Sequence, residues 1–215
     1  MGILTPPGTF TPTGYTFPNS DFFAWGTPSN GNYAAINNSG WQFTYSSANA
    51  TSKRPNLNIA KTGLTDTIQG GSSGSYAKGD GIQIGTQCVL SLGKTLTKST
   101  QNQVLGYGTN FGVIIGTNLG TLGSTFTYSK ESGAIIAGKR TEDVVLGESS
   151  AIGGAGIANY GILALGSKAD TIYGLGTGIT SYGVVNWGSI TTGGHDKSNG
   201  NDSITGWGTT WGIYN

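Results

Sequence analysis

The chain is poor in charge, in sulfur and in histidine, and each shortage removes a class of function. Only 10% of its residues are charged and the formal net charge is +1. No basic stripe exists to displace counterions from phosphate, so nucleic acid is not an expected partner. The one cysteine, Cys88, excludes an internal disulfide and a cysteine-rich metal centre, and a small buried apolar position is expected for it. The one histidine, His195, falls in Gly193-Gly-His-Asp-Lys and reads as a solvated loop residue. No run of roughly 18 apolar residues is present, so no membrane span is expected. The opening Met1-Gly-Ile-Leu-Thr-Pro-Pro-Gly carries no basic segment followed by an apolar run, and Pro6 breaks a myristoylation pattern.

What the chain does have is glycine, at 39 of 215 residues, joined by many Thr, Ser and Asn. Helices do not tolerate so much glycine, whereas short strands and turns do. All six prolines lie at or before Pro55, and the aromatics Phe10 to Tyr45 crowd the same region. Residues 1–60 therefore read as an extended, proline-broken arm or cap, and 61–215 as a separate glycine-rich domain. Phe17, Phe22, Phe23 and Trp25 are too apolar to lie in solvent. They are expected to pack over the end of the following domain or into a neighbouring subunit.

From residue 61 onward one grammar recurs. Its openings are Asp66-Thr-Ile-Gln-Gly, Asn102-Gln-Val-Leu-Gly, Asp143-Val-Val-Leu-Gly, Asp170-Thr-Ile-Tyr-Gly and Asp202-Ser-Ile-Thr-Gly. Gly112-Val, Gly156-Ile and Gly183-Val follow, then Asn118-Leu-Gly, Asn159-Tyr-Gly and Asn186-Trp-Gly. Each unit offers about three short strands, and units as short as 27 residues leave loops to absorb the variation in spacing. The expected fold is all-β: a parallel β-helix, or β-solenoid, of about five degenerate units behind the N-terminal arm. Aliphatics would point inward in ladders, with Gly and Asn at corners that need positive φ. A β-propeller is the alternative, because its blades repeat at a similar length. The last residues, Gly212-Ile-Tyr-Asn215, fall partway through a unit, so an open strand edge is expected there.

The segment Asn199-Gly-Asn-Asp202-Ser-Ile-Thr, with Gly200, Asp202 and Ile204 in place, resembles the repeats of RTX (haemolysin-type) proteins, and the longer, degenerate repeats of cyanobacterial secreted proteins most closely. The likeness covers roughly residues 140–215. It departs from that pattern at Lys197-Ser198, where a glycine pair belongs, and at Ser167-Lys-Ala169. The resemblance implies secretion and calcium, with Asp196 and Asp202 as the candidate ligands; turn-capping by the same aspartates is the plainer expectation. No other cofactor is expected. For catalysis, Glu142, Asp143, Glu148 and Asp170 could supply a pair of carboxylates across a polysaccharide groove, but solvated turn charges account for them equally well.

Trp187, Trp207, Trp211 and Tyr214 are the more suggestive set. Trp207 and Trp211 sit beside glycines, leaving their faces free for a protein interface, a glycan or the last layer of the core. The reading that follows is a non-enzymatic structural subunit of an extracellular, cell-surface or virion assembly, of fibre, filament or adhesin type. It would form homo-oligomers or polymers through its arm and its open end. Alternatives are a phage tail fibre or tailspike that binds or cleaves host polysaccharide, and a secreted calcium-binding RTX-type module.

Overall fold

The structure, a computed structural model, describes residues 22–23, 32–35, 41–43, 56–59, 66–85, 88–92, 100–116, 133–138, 141–193 and 201–215, with side chains from Ile68 onward. All of its regular structure is β, with no helix among the described residues. The strands open with β1 (Phe22–Phe23), followed by β2 (Asn32–Ala35), β3 (Trp41–Phe43) and β4 (Asn56–Ile59). Next come β5 (Asp66–Gly70), β6 (Asp80–Ile84) and β7 (Val89–Leu92), then β8 (Thr100–Gly108), β9 (Phe111–Ile115) and β10 (Ala134–Ala137). β11 (Thr141–Ser149), β12 (Ala155–Asn159) and β13 (Ile162–Ala164) precede β14 (Thr171–Gly176), β15 (Tyr182–Asn186) and β16 (Ser189–Thr191). The chain finishes on β17 (Ser203–Trp207) and β18 (Trp211–Tyr214).

These strands form three sheets that the chain visits in a fixed cycle. Sheet A runs β1-β3-β6-β9-β12-β15-β18, sheet B β17-β14-β11-β8-β5-β2, and sheet C β16-β13-β10-β7-β4. Apart from β1 on β3, which is antiparallel, every pairing among these strands is parallel. Neighbours in a sheet are therefore the same strand of successive units, three elements apart in the chain. The antiparallel blades of a propeller are incompatible with that pairing. Strands on both sides of residue 61 join the same sheets, because β2, β3 and β4 pair with β5, β6 and β7. The change in composition near residue 61 is thus not where the sheets begin.

Alternation along β11 explains the grammar. Its burial is strictly two-periodic, with Thr141, Asp143, Val145, Gly147 and Ser149 buried between more open neighbours. Aspartate, aliphatic and glycine, each two residues apart, share the inward face. The pairing register then stacks like on like. Ile68, Val104, Val145, Ile172 and Ile204 form one aliphatic column, and Gly70, Gly106, Gly147, Gly174 and Gly206 form another. Ile82, Val113, Ile157 and Val184 supply the core from sheet A, and Leu90, Ile135 and Leu163 from sheet C. Cys88 is also in this core, fully buried, and burial pushes its thiol up to about 12.

The repeated glycines are not there for positive φ. Left-handed backbone occurs instead at turn glycines such as Gly74 (φ 75°) and Gly153 (φ 72°). The in-strand glycines are needed because sheets A and B touch backbone to backbone. A methyl group on Gly147 would run into the Gly156 carbonyl, and one on Gly174 into the Gly183 carbonyl. From the other side, a methyl group on Gly156 would meet the Leu175 amide and one on Gly183 the Trp207 amide. The nearest atoms in each case are backbone, which cannot swing aside as the end of a side chain could.

Gly174→Ala is therefore expected to lower stability by roughly 3 kcal/mol or to prevent folding. Gly74→Ala, with open space around it and only φ strain, should cost about 1 kcal/mol. Equilibrium denaturation of the two variants measures the contrast; equal losses would refute the close-contact role.

Candidate functional site

Two features stand apart from the packed core: a buried column of Asx side chains and an uncovered end. The column runs across sheet B near the beginnings of β5, β8, β11, β14 and β17. The register places Asp66, Asn102, Asp143, Asp170 and Asp202 one above another. Asn102, Asp143 and Asp170 are fully buried, whereas Asp202 is exposed. Asp143 is well satisfied: Asn102 Nδ2 donates to its Oδ1 at 2.8 Å, and Thr141 Oγ1 (2.7 Å) and the Gly166 amide (3.2 Å) donate to its Oδ2. The Asp143 amide in turn donates to Asp170 Oδ1 at 2.9 Å, and the Asp170 amide to Asp202 Oδ1 at 3.1 Å. Asp170 Oδ2 and Asn102 Oδ1 are buried with no hydrogen-bond partner.

A second Asx column closes sheet A. Asn159 Nδ2 donates to Asn186 Oδ1 at 2.8 Å, and Asn186 Nδ2 to Asn215 Oδ1 at 2.6 Å. The Asn159 and Asn186 oxygens also receive the amides of Gly161 and Gly188 two residues on, which fixes the corner that follows. In register, Ile115 stands opposite Asn159; Asn118, which the sequence grammar suggests, lies outside the described residues.

These positions correct the reading of Asp143 and Asp170 as solvated turn charges. Both point inward, two residues before a core aliphatic. Desolvation holds both carboxyls above the usual carboxylate range, and Asp170 rises to about 7 with the nearby charges of Asp143, Asp202 and Glu142 adding to the effect. The remaining catalytic candidates do not form a pair. Glu142 is exposed and Glu148 accepts the Tyr76 hydroxyl, and they lie six residues apart on β11, about 20 Å of extended strand. Flanking a glycosidic bond requires roughly 5–10 Å.

No group of three or more His, Cys, Asp or Glu side chains converges on a point that could hold a metal ion among the described residues. Of the calcium candidates, Asp196 lies outside the described residues, as does His195. Asp202 is present, and its Oδ1 receives the Asp170 amide.

The uncovered end is the last unit. Ile204 and Ile213 continue columns whose preceding members, Ile172 and Val184, are fully buried, yet they are 43% and 47% exposed. Among the described residues, no strand lies beside the outer edges of β17 and β18. Trp207 and Trp211 do not fill the core. Trp207 continues the outward column Tyr107, Glu148, Leu175 on sheet B, and Trp211 the outward column Phe111, Ala155, Tyr182 on sheet A. Trp207 is 61% and Trp211 53% exposed. Tyr214, 39% exposed, packs its ring against Trp187 with centroids 5.5 Å apart and against Trp211 and Tyr182 at 6.3 Å. The structure thus brings Trp187, Trp211 and Tyr214 together on the outside of sheet A. Phe22 and Phe23 form β1 on the outer edge of β3, at the opposite end of that sheet. Phe17 and Trp25 lie outside the described residues. No helix among the described residues is long and apolar enough to cross a membrane.

Compared with family models, curated proteins and solved structures, the chain matches none. In the columns, Asp170 and Asp202 each accept the backbone amide of the aspartate in the preceding unit, whereas Asp143 accepts the Asn102 side chain, the Thr141 hydroxyl and the Gly166 amide.

The Asp170 carboxyl gives a pH dependence with a definite sign. Its folded pKa is raised, as is that of Asp80, which burial pushes up to about 6. Between about pH 4 and pH 7 the folded chain holds protons that the unfolded chain has released. Stability is then full below that window and falls as the pH rises through it. Asp170→Asn keeps an acceptor oxygen for the Asp143 amide and removes the charge. At pH 8 it should raise stability by about 1 kcal/mol or more, roughly 2–4 °C in Tm, and flatten the pH profile. Thermal melts from pH 4 to pH 8 decide it; a variant less stable than the parent at pH 8 contradicts the assignment.

Proposed function

We propose that the chain is a β-solenoid that serves as a structural, non-enzymatic subunit of a larger extracellular, cell-surface or virion assembly, and that the end formed by β17 and β18 is its docking surface. The observation that carries this reading is the exposure of Ile204 and Ile213, core members left uncovered beside free strand edges. Exposed parallel edges with apolar side chains invite another strand, and monomeric proteins normally blunt them. The other end of sheet A is treated differently, with β1 laid antiparallel along β3. On this reading the aromatic arm closes one end and the other is left for a partner. The fixed cycle through three sheets supports the solenoid, and inward columns of aliphatic, glycine and Asx give a stiff rod.

Because Ile213 is already exposed, Ile213→Asp should leave the unfolding midpoint within about 0.5 kcal/mol of the parent. It should weaken association at least tenfold. Denaturant unfolding checks the first and sedimentation velocity over a wide concentration range the second, and a parent chain that stays a compact monomer at high concentration removes the docking reading.

A second reading is favoured by Trp207 and Trp211, exposed aromatics on outward columns of two adjoining sheets, suited to stacking on sugar rings of a host surface polysaccharide. Trp207→Ala with Trp211→Ala should abolish retention on that polysaccharide without changing the melting curve. Chain shortening of the polysaccharide would instead reveal a cleaving enzyme.

A further inference from the structure

The outward face of sheet B is broad, apolar at its centre and nearly free of charge. Alternation sends every second residue of β8, β11 and β14 outward, and the register sets these residues in rows across the sheet. The middle row is Leu105, Leu146 and Tyr173, with Val144 in the row before it and Leu175 in the row after. All five are only half-buried, although β8, β11 and β14 are interior strands, so their exposure owes nothing to a sheet edge. The other two sheets differ. Outside sheet A, Ile114, Ala158 and Val185 are already buried in a cluster with Tyr160 and Trp187. Sheet C offers strands of only three or four residues. Among the described residues, the charged side chains on the sheet B face are Glu142 and Glu148. Glu142 accepts Gln101 Nε2 at 3.0 Å, and Glu148 accepts the Tyr76 hydroxyl. Lys168, which makes an interaction of its own, stands at the margin ahead of β14.

We infer that a second copy of the chain packs on this face, sheet B against sheet B, across a two-fold axis passing near Leu146. This lateral pairing goes beyond the end-on docking proposed above and does not depend on it. Size is the first argument. Five strands about 4.8 Å apart, up to nine residues long, make a face of roughly 600 Å², so two copies bury about 1,200 Å², enough for a specific interface. Monomers rarely leave an apolar face of that extent bare. Shape is the second. Two sheets pack face to face about 10 Å apart with their side chains interleaved. A two-fold at Leu146 lays the middle row on its own copy, Leu146 against Leu146 and Leu105 against Tyr173. Charge is the third. That axis keeps the two Glu142 carboxylates about 26 Å apart, beyond the roughly 8 Å over which exposed charges interact. Glu148 is the charge it covers, and the Tyr76 hydroxyl remains as its donor. With both carboxylates bonded within the chain, the face offers little to a charged partner.

Sedimentation velocity of the full chain up to its solubility limit, with thermal melts alongside, tests the pairing. The parent is expected to dimerise. Leu146→Arg should weaken the dimer at least hundredfold, whereas Thr191→Arg, at an exposed position on sheet C, should leave it within twofold. Glu148→Gln keeps an oxygen for the Tyr76 hydroxyl and removes the covered charge, so it should tighten the dimer at least threefold. That gain decides the matter even if Leu146→Arg fails to fold. A folded Leu146→Arg that dimerises like the parent, or a Glu148→Gln no tighter than the parent, overturns the inference. A parent that stays monomeric also overturns it and leaves the face to a partner of another kind. Ile213→Asp separates this pairing from end-on docking. Association lost in Ile213→Asp but kept in Leu146→Arg refutes the sheet B pairing and leaves the docking end standing. Association lost in Leu146→Arg but kept in Ile213→Asp upholds the pairing and refutes the docking end.

Discussion

Backbone contact between sheets A and B is the constraint on which the rest of the structure depends. Where Gly147 meets Gly156 and Gly174 meets Gly183, no side chain fills the gap, so the two sheets approach as closely as polypeptide allows. Such an approach tolerates no slip. A one-residue shift of register would drive a side chain into backbone and turn Val145 or Ile172 outward. The contact thereby fixes where the aliphatic columns lie, and with them which residue of each strand faces the interior. It also explains why a chain with so little charge and so few bulky core residues can still order itself. Much of its packing is main chain on main chain, and its hydrogen bonds run from one unit to the next.

The Asx columns are the polar side of the same arrangement. At the mouth of sheet B the interior must accept a side chain that serves an amide otherwise without a strand partner, and a short acidic or amide group does so from the adjacent unit. The cost is charge in a dry place. Asp143 is compensated by three donors, whereas Asp170 Oδ1 accepts the Asp143 amide and its Oδ2 is buried without a donor. Burial, with the neighbouring charges of Asp143, Asp202 and Glu142 adding to it, pushes the Asp170 carboxyl up to about 7. At the sheet A corner, where Asn159, Asn186 and Asn215 stack, the same geometry is achieved without charge.

Much of this was legible in the residues, and the failures have physical reasons. The five openings at Asp66, Asn102, Asp143, Asp170 and Asp202 stand in register because a unit repeats its strand sequence even when its loops vary. The burial of Asp143 was missed although the signal was there: a residue two before an inward valine on a strand also faces inward. Glycine was read as a corner residue because positive φ is its commonest use, yet in these strands the missing Cβ matters more than the dihedral. The sheets were expected to begin near residue 61. β2 to β4 are only three or four residues long, and Ala35 stands where later units have glycine, so the grammar fades before the fold does. The outward position of Trp207 follows from the same two-residue count, run from Ile204 and Gly206; that of Trp211 does not, because Gly212 and Ile213 are adjacent and alternation breaks there.

The matched columns have a consequence for how such a chain can change length. From β5 onward, the sheet B strands present the same Asx, aliphatic and glycine to the strand on either side, so these units are interchangeable at their shared boundaries. Excising the stretch from Asp143 to Ala169 would bring Asn102 against Asp170 and Gly106 against Gly174, restoring like-on-like stacking with each sheet narrower by one strand, about 4.8 Å. Duplicating it would widen each sheet by the same step. The number of units is therefore left free by the pairing rules, while the identity of each column stays fixed.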